Sequence, residues 1–155
     1  VSAAAAAFVE ATVRTATPLA LAALGEVVVE RAGVMNISLE GVILGGAFGA
    51  LVGASHGGLF AGYAAALGCG VLLALVFGLF AIAFRADQII TGTAVTLLAV
   101  GLTGTLYRAL YGTTGAALSI PTSGPRAVPW LSSVPVVGSG FFNQPSVTYT
   151  AYVAI

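Results

Sequence analysis

Lysine is absent from this sequence, and its five arginines are balanced by five acidic residues, so the formal net charge is zero. Without a basic surface nothing can neutralise a nucleic-acid backbone or hold a peripheral partner by charge, which excludes nucleic-acid binding. Charge of either sign is scarce: 6% of the 155 residues are charged and 59% are hydrophobic, against roughly a quarter charged in soluble domains. A water-soluble globule is therefore excluded. The single cysteine, Cys69, lies in an apolar run, cannot form an intrachain disulfide and says nothing about redox compartment. The single histidine, His56, sits beside Gly57 and Gly58 in what reads as an outer turn, with no second His or Cys placed to share a metal. There is no glycine-rich phosphate loop with lysine, no zinc-ligand spacing and no nucleophile with its base. No catalytic residue, metal or cofactor is expected.

What remains is a membrane protein. At about 20 apolar residues per helical crossing, the length allows at most about five or six spans. The longest charge-free run, residues 57–84, is closed by Arg85 and Asp87 and reads as a tilted transmembrane helix. Residues 88–107, between Asp87 and Arg108, form the next span. Ahead of these, 39–54 is apolar and glycine-rich, and 17–29 is apolar but carries Glu26 and is extended backwards by 8–16. Both are short or interrupted. Residues 1–9 imitate a signal-peptide core, but without a basic start they read better as the beginning of a tilted first helix. The stretch 112–146 holds Pro121, Pro125, Pro129, Pro135 and Pro145, which no continuous helix tolerates. It reads as a long external loop, with Trp130, Phe141 and Phe142 at the membrane interface. A fresh apolar segment starts at Val147. The expectation is an all-α polytopic bundle of about four spans plus the start of a fifth, with both chain ends interior to a longer sequence. Arg85, in a very short loop, and Arg31, in the break between the first two segments, are placed in the cytoplasm, which leaves Arg14, Arg108, Arg126 and the N-terminus outside.

Gly41, Gly45, Gly49 and Gly53 recur every fourth residue, on one slowly drifting helix face. Gly58, Gly62, Ala66, Gly70, Ala74 and Gly78 repeat the pattern in the next span. Small residues at this spacing let backbones approach closely where lipid supplies no hydrophobic drive, so these glycines are read as packing faces, with a pore lining as the alternative.

The segment from Gly25 to Gly41 contains three of the five acids, Glu26, Glu30 and Glu40. Gly33 is the residue type expected just past a helix end, and Asn36 or Ser38 the type expected to cap the next helix. Glu40, in that helix's first turn, meets the positive end of the dipole. A broken helix near residues 30–40 follows. Breaks at membrane depth are where transporters place substrate sites and gates; the alternative is an ordinary cytoplasmic hairpin loop. A second polar cluster, Arg85, Asp87, Gln88, Thr91 and Thr93, opens the fourth span, either as part of the path or as a solvated turn followed by threonines bonding back to helix carbonyls. The candidate path or gate residues are Glu30, Asn36, Ser38, Glu40, Gln88 and Thr91.

Thr17 to Glu26, then Glu30-Arg31-Ala32-Gly33-Val34-Met35-Asn36-Ile37-Ser38-Leu39-Glu40-Gly41, then Gly45 to Phe48, resemble the opening half of a membrane permease subunit of bacterial ABC importers. The branch is the one for nucleosides and simple sugars, related to the branched-chain amino acid permeases. Arg85-Ala86-Asp87-Gln88-Ile89-Ile90-Thr91-Gly92 and Leu97-Leu98-Ala99 match the next block, where Asn is common at the position of Asp87. The resemblance runs from about Phe8 to Gly112. It implies a permease domain over 1–155 that is the N-terminal half of a larger subunit in the bacterial inner membrane. Its implied partners are a second permease subunit, cytoplasmic ATPase subunits, an external substrate-binding protein and membrane lipid, with a coupling helix beyond Ile155. Two other classes stay open: a small oligomeric ATP-independent carrier or channel using Glu26, Glu30 or Glu40 as a proton-coupled carboxylate, and a purely structural subunit.

Overall fold

The computed structural model describes residues 2–112, 120–133 and 137–154. The chain is all-α apart from one pair of two-residue strands among the described residues. Three helical stretches, Ala4–Arg31, Leu39–Ala83 and Gln88–Tyr111, are long and apolar enough to cross a membrane. The contacts divide the chain into two units, Val29–Thr122 and the pair Val1–Val28 with Ser123–Ile155.

Helix α1 (Ser2–Arg31) continues through Glu10, Arg14 and Pro18, where the sequence suggested an interruption. Glu10 and Arg14 are one turn apart and pair at 4.0 Å, and Thr12, Thr15 and Thr17 turn their hydroxyls back onto the carbonyls of Phe8, Ala11 and Val13 at 2.8–2.9 Å. These groups are satisfied on their own helix, so only the missing Pro18 N–H opposes continuity. In the same unit, strands β1 (Arg126–Ala127) and β2 (Asn143–Gln144) pair antiparallel around a 3₁₀ turn, Leu131–Ser133, and helix α4 (Val137–Phe141). The Tyr149 hydroxyl, on helix α5 (Ser146–Ala154), donates to the Arg126 carbonyl at 2.6 Å and accepts the Gln144 N–H at 3.2 Å. Buried Thr17 and Thr148 meet at 3.4 Å between their hydroxyl oxygens. The described parts of 112–146 thus contain no long helix, as the prolines require. Residues 113–119 and 134–136 of the expected external loop lie outside the described residues. Trp130 is 90% exposed, with a positive φ of 75°.

The second unit is organised by a reversal. Helix α2 (Leu39–Gly78) is two arms joined at Gly58, whose φ of 75° and ψ of −171° are non-helical. The arms fold back antiparallel. A Cβ on Gly49 would stand 2.7 Å from the Ala65 carbonyl oxygen and from Cys69 Sγ, one on Gly62 would stand 3.0 Å from Ala54 Cβ, and one on Gly53 would collide with the Ala61 carbonyl. Farther along, Gly45 faces the Leu73 side chain. The second arm passes into a π-helical turn, Leu79–Ala83, and the chain then bends at Arg85, which has φ 53°.

Helix α3 (Gln88–Tyr111) is started by Asp87, whose Oδ1 accepts the Ile89 and Ile90 N–H groups, both at 2.9 Å. It packs parallel to the first arm. The pairs run in step from Ile37 beside Gly92, through Gly41 beside Thr96 and Ala99, to Ser55 bonded to Tyr111. Buried Phe77, Ala81 and Val95, joined by Val34, Leu73 and Val76, hold the second arm in the same bundle.

The glycines read as one class therefore divide. Gly41, Gly45, Gly49, Gly53 and Gly62 lie at close approaches. Gly58 has open space where a Cβ would be and turns the chain instead of packing, because only a residue without a Cβ adopts its dihedrals cheaply. Gly70 and Gly78 would place a Cβ 3.8 and 3.9 Å from their neighbours, an ordinary contact, so neither is needed for approach.

Two outcomes follow for thermal unfolding in detergent. Gly41→Ala and Gly49→Ala should each destabilise by about 1–3 kcal/mol, because the added carbon meets backbone that cannot rotate away, whereas Gly70→Ala should be neutral or slightly stabilising through helix propensity. Equal effects at all three would mean that the arms do not pack through these glycines. Asp87→Ala should cost about 1 kcal/mol by releasing two first-turn amides, and Asp87→Asn should recover most of it.

Candidate functional site

The polar break is built from local capping chemistry. At the end of α1, the Gly33 N–H reaches the Glu30 carbonyl at 2.9 Å and the Val34 N–H the Val29 carbonyl at 3.3 Å, with Gly33 at φ 81°. This 5→2 and 6→1 pattern is a Schellman stop, and it needs a residue without a Cβ in the left-handed position. Val34 then leaves the helix into the apolar cluster around Phe77 and Val95.

At the start of α2, Ser38 occupies the N-cap position, but its side chain makes no cap bond. Instead Asn36 Oδ1 accepts both the Ser38 hydroxyl, at 2.5 Å, and the Ser38 N–H, at 3.1 Å. Asn36 thereby closes an Asx turn around a serine that is completely buried. The sequence left Asn36 and Ser38 as interchangeable caps; the structure gives them different work, one at the helix boundary and one holding it. Glu30 and Glu40 are exposed on the last turn of α1 and the first turn of α2, flanking the break.

The second polar cluster joins the first. Gln88 Oε1 accepts the Met35 N–H at 2.8 Å across 53 residues of sequence. A Cβ on Gly92 would lie 2.8 Å from Ile37 Cβ and 3.1 Å from the Ser38 nitrogen, so the break rests on bare backbone of α3. Thr91, beside it, is buried, and Thr93 bonds back to the Ile89 carbonyl at 2.8 Å. Asn36, Ser38, Gln88 and Thr91 thus gather at one end of the unit. Spacing alone offered no sign of the Gln88 to Met35 bond, because the partner is a backbone group whose freedom to bond depends on the helix stopping at Gly33.

Near the opposite end of the same unit is a cavity of about 670 Å³ that sequence reasoning did not find. Phe48 from the first arm, Tyr63 from the second and Tyr107 from α3 face it, with Thr103 and Arg108 of α3 also in its wall. The Tyr107 ring lies 5.3 Å, centroid to centroid, from that of Tyr111, and the Tyr111 hydroxyl is 3.0 Å from Ser55 Oγ. Thr103 donates its hydroxyl proton to the Ala99 carbonyl at 2.7 Å and is left only as an acceptor. Each ring stands in an apolar stretch where an aromatic reads simply as span, so its only distinguishing signal was convergence in space.

A family model described as the branched-chain amino acid transport system permease component matches residues 8–141. The guanosine ABC transporter permease protein NupQ of Bacillus subtilis is 38% identical over 154 residues, covering 95% of this chain and 48% of that protein. A Haloferax volcanii permease provisionally named for glucose, TsgC13, is 36% identical over 97% of this chain and 46% of its own length. The nucleoside ABC transporter permease protein NupC of Lactococcus lactis is 35% identical over 84% of this chain and 43% of its own length. The chain thus spans about half the length of these relatives. No solved structure matches it. With a matching family model over most of its residues, the chain belongs to the family of the branched-chain amino acid transport system permease component.

Proposed function

We propose that this chain forms half of the membrane permease subunit of an ABC-type importer that carries a nucleoside or a simple sugar. The observation that carries the reading is family membership across residues 8–141, together with relatives named for guanosine, nucleoside and glucose transport. The chain supplies helices and a passage, and ATP hydrolysis belongs to cytoplasmic partner subunits. A second permease subunit and an external substrate-binding protein complete the assembly in a bacterial inner membrane, where the turn at Gly58 makes four crossings of the three apolar stretches.

In this reading the end carrying the break faces the cytoplasm. The pairing of Met35 with Gln88 supports a shared side for Arg31 and Arg85, since it brings their two breaks together, and arginine prefers cytoplasmic loops. Glu30, Asn36, Ser38, Glu40, Gln88 and Thr91 line or hold the inner gate. Of these, Asn36, Ser38 and Gln88 act through position, because their polar atoms bond the break itself.

Three variants in the full-length subunit, assembled with its partners, separate this from a proton-coupled carrier. Asn36→Ala removes the acceptor for two groups of a buried serine, at a cost of about 1–3 kcal/mol, and should abolish most uptake. Gln88→Leu, which frees the Met35 N–H, should lower uptake severalfold, with Gln88→Glu recovering part of it. Glu40→Gln alters only an exposed charge at a helix start, an effect of about 0.3–1 kcal/mol, and should retain most uptake. Uptake that vanishes with Glu40→Gln, and collapses when the proton gradient is discharged at constant ATP, would sink the importer reading.

Sidedness has its own check. With Cys69 replaced, a cysteine at position 126 should react with an impermeant reagent from outside, and one at position 85 only from inside. Labelling of position 126 only from the inside would invert the topology.

A further inference from the structure

The geometry points to the cavity of Phe48, Tyr63 and Tyr107 as a subsite for the flat base of a nucleoside, in preference to a hexose. This rests on the importer reading and narrows it, since the relatives' names leave nucleoside and glucose side by side.

Three aromatic side chains from three separate helical elements converge on one space of about 670 Å³, within the range of small-molecule pockets. Tyr107 is steadied by its contact with Tyr111, which the Ser55 hydroxyl holds in turn. A nucleobase offers two apolar π-faces and a polar edge, and such faces stack on aromatic rings whatever the base. The polar edge has partners here. Arg108, in the last turn of α3, brings guanidinium donors for a base carbonyl or ring nitrogen, and the tyrosine hydroxyls can donate or accept. A hexose makes a different demand, with hydroxyls around its whole rim that each need a partner once out of water. Among the described residues the lining contains no carboxylate and no side-chain amide; besides the tyrosines its hydroxyls are those of Thr122 and of Thr103, which has already given its proton to the Ala99 carbonyl. The cavity therefore suits a molecule with broad apolar faces and few polar contacts.

Its place along the helices agrees. Tyr107 stands 19 residues after Gln88 on α3, roughly 28 Å along the axis, which is about the thickness of a bilayer core. With the break facing inward, the cavity lies toward the outer side, where an externally delivered solute arrives.

The test uses the full-length subunit with its ATPase and binding-protein partners in proteoliposomes, with labelled guanosine, uridine and glucose. The wild type should carry the nucleosides, and excess glucose should not compete. Phe48→Ala and Tyr107→Leu should raise the nucleoside KM roughly tenfold or more with a smaller change in kcat, and Tyr107→Phe, which keeps the ring, should restore KM. ATP-driven uptake of glucose without nucleosides would overturn the base assignment and leave the importer reading standing. Nucleoside uptake with an unaltered KM in folded Phe48→Ala and Tyr107→Leu would mean that lipid or protein packing fills the cavity, and would overturn the subsite alone. ATP-driven uptake of none of the three solutes by the intact assembly would remove the importer reading and the subsite with it.

Discussion

Close approach of the two arms of α2 is the constraint from which the rest of the Val29–Thr122 unit follows. In lipid, apolar side chains gain little by meeting one another, so association depends on how near the backbones can come and on the polar groups that bridge them. At Gly49, Gly53 and Gly62 the facing arm fills the volume that any side chain would occupy. That contact requires the arms to run antiparallel from a turn at Gly58, and the turn requires a backbone conformation that glycine alone adopts at little cost. With the arms together, Phe77 and Ala81 come to face Val95, and α3 has a surface to lie on.

The polar end depends on the same arrangement. A helix stop leaves backbone groups without intrahelical partners, and in a membrane each must find one. The Schellman bonds at Gly33 satisfy the last carbonyls of α1, the Asn36 side chain takes two groups of Ser38, and Gln88 takes the Met35 N–H. Without α3 seated at Gly92 and Gly41, the Gln88 amide would not reach the break. The break is thereby held to α3 and differs from a free loop between two helices. The chain beyond the second arm is shaped differently, by a π-helical turn and a left-handed arginine. Such bulges concentrate where helices serve function.

At the other end of the unit, the proposed base subsite rests on side chains that no local rule singles out. Phe48, Tyr63 and Tyr107 are ordinary members of apolar spans until the folding of α2 and the parallel seating of α3 aim them at one space. In the proposed subsite, the small number of polar groups among the described lining residues favours selection by shape and stacking over selection by many hydrogen bonds.

Local chemistry in the sequence was enough to determine the membrane class, the helix boundaries near residues 31, 39 and 88, and the position of the break. Each depends on a residue's own properties or on its near neighbours: charge-free length, a glycine that can take positive φ at Gly33, and an aspartate ahead of Ile89 and Ile90. Spacing by four likewise marked the small-residue face. The tertiary structure decided which members of that face meet another backbone, as at Gly49, and which do not, as at Gly70, and which residue of the turn between the two spans, Gly58, takes the non-helical backbone. It alone decided that Gln88 belongs to Met35, and that three rings share a cavity. The physical reason is one of range: periodicity states which side of a helix a residue is on, and only the packed neighbour, tens of residues away in sequence, determines what that side touches.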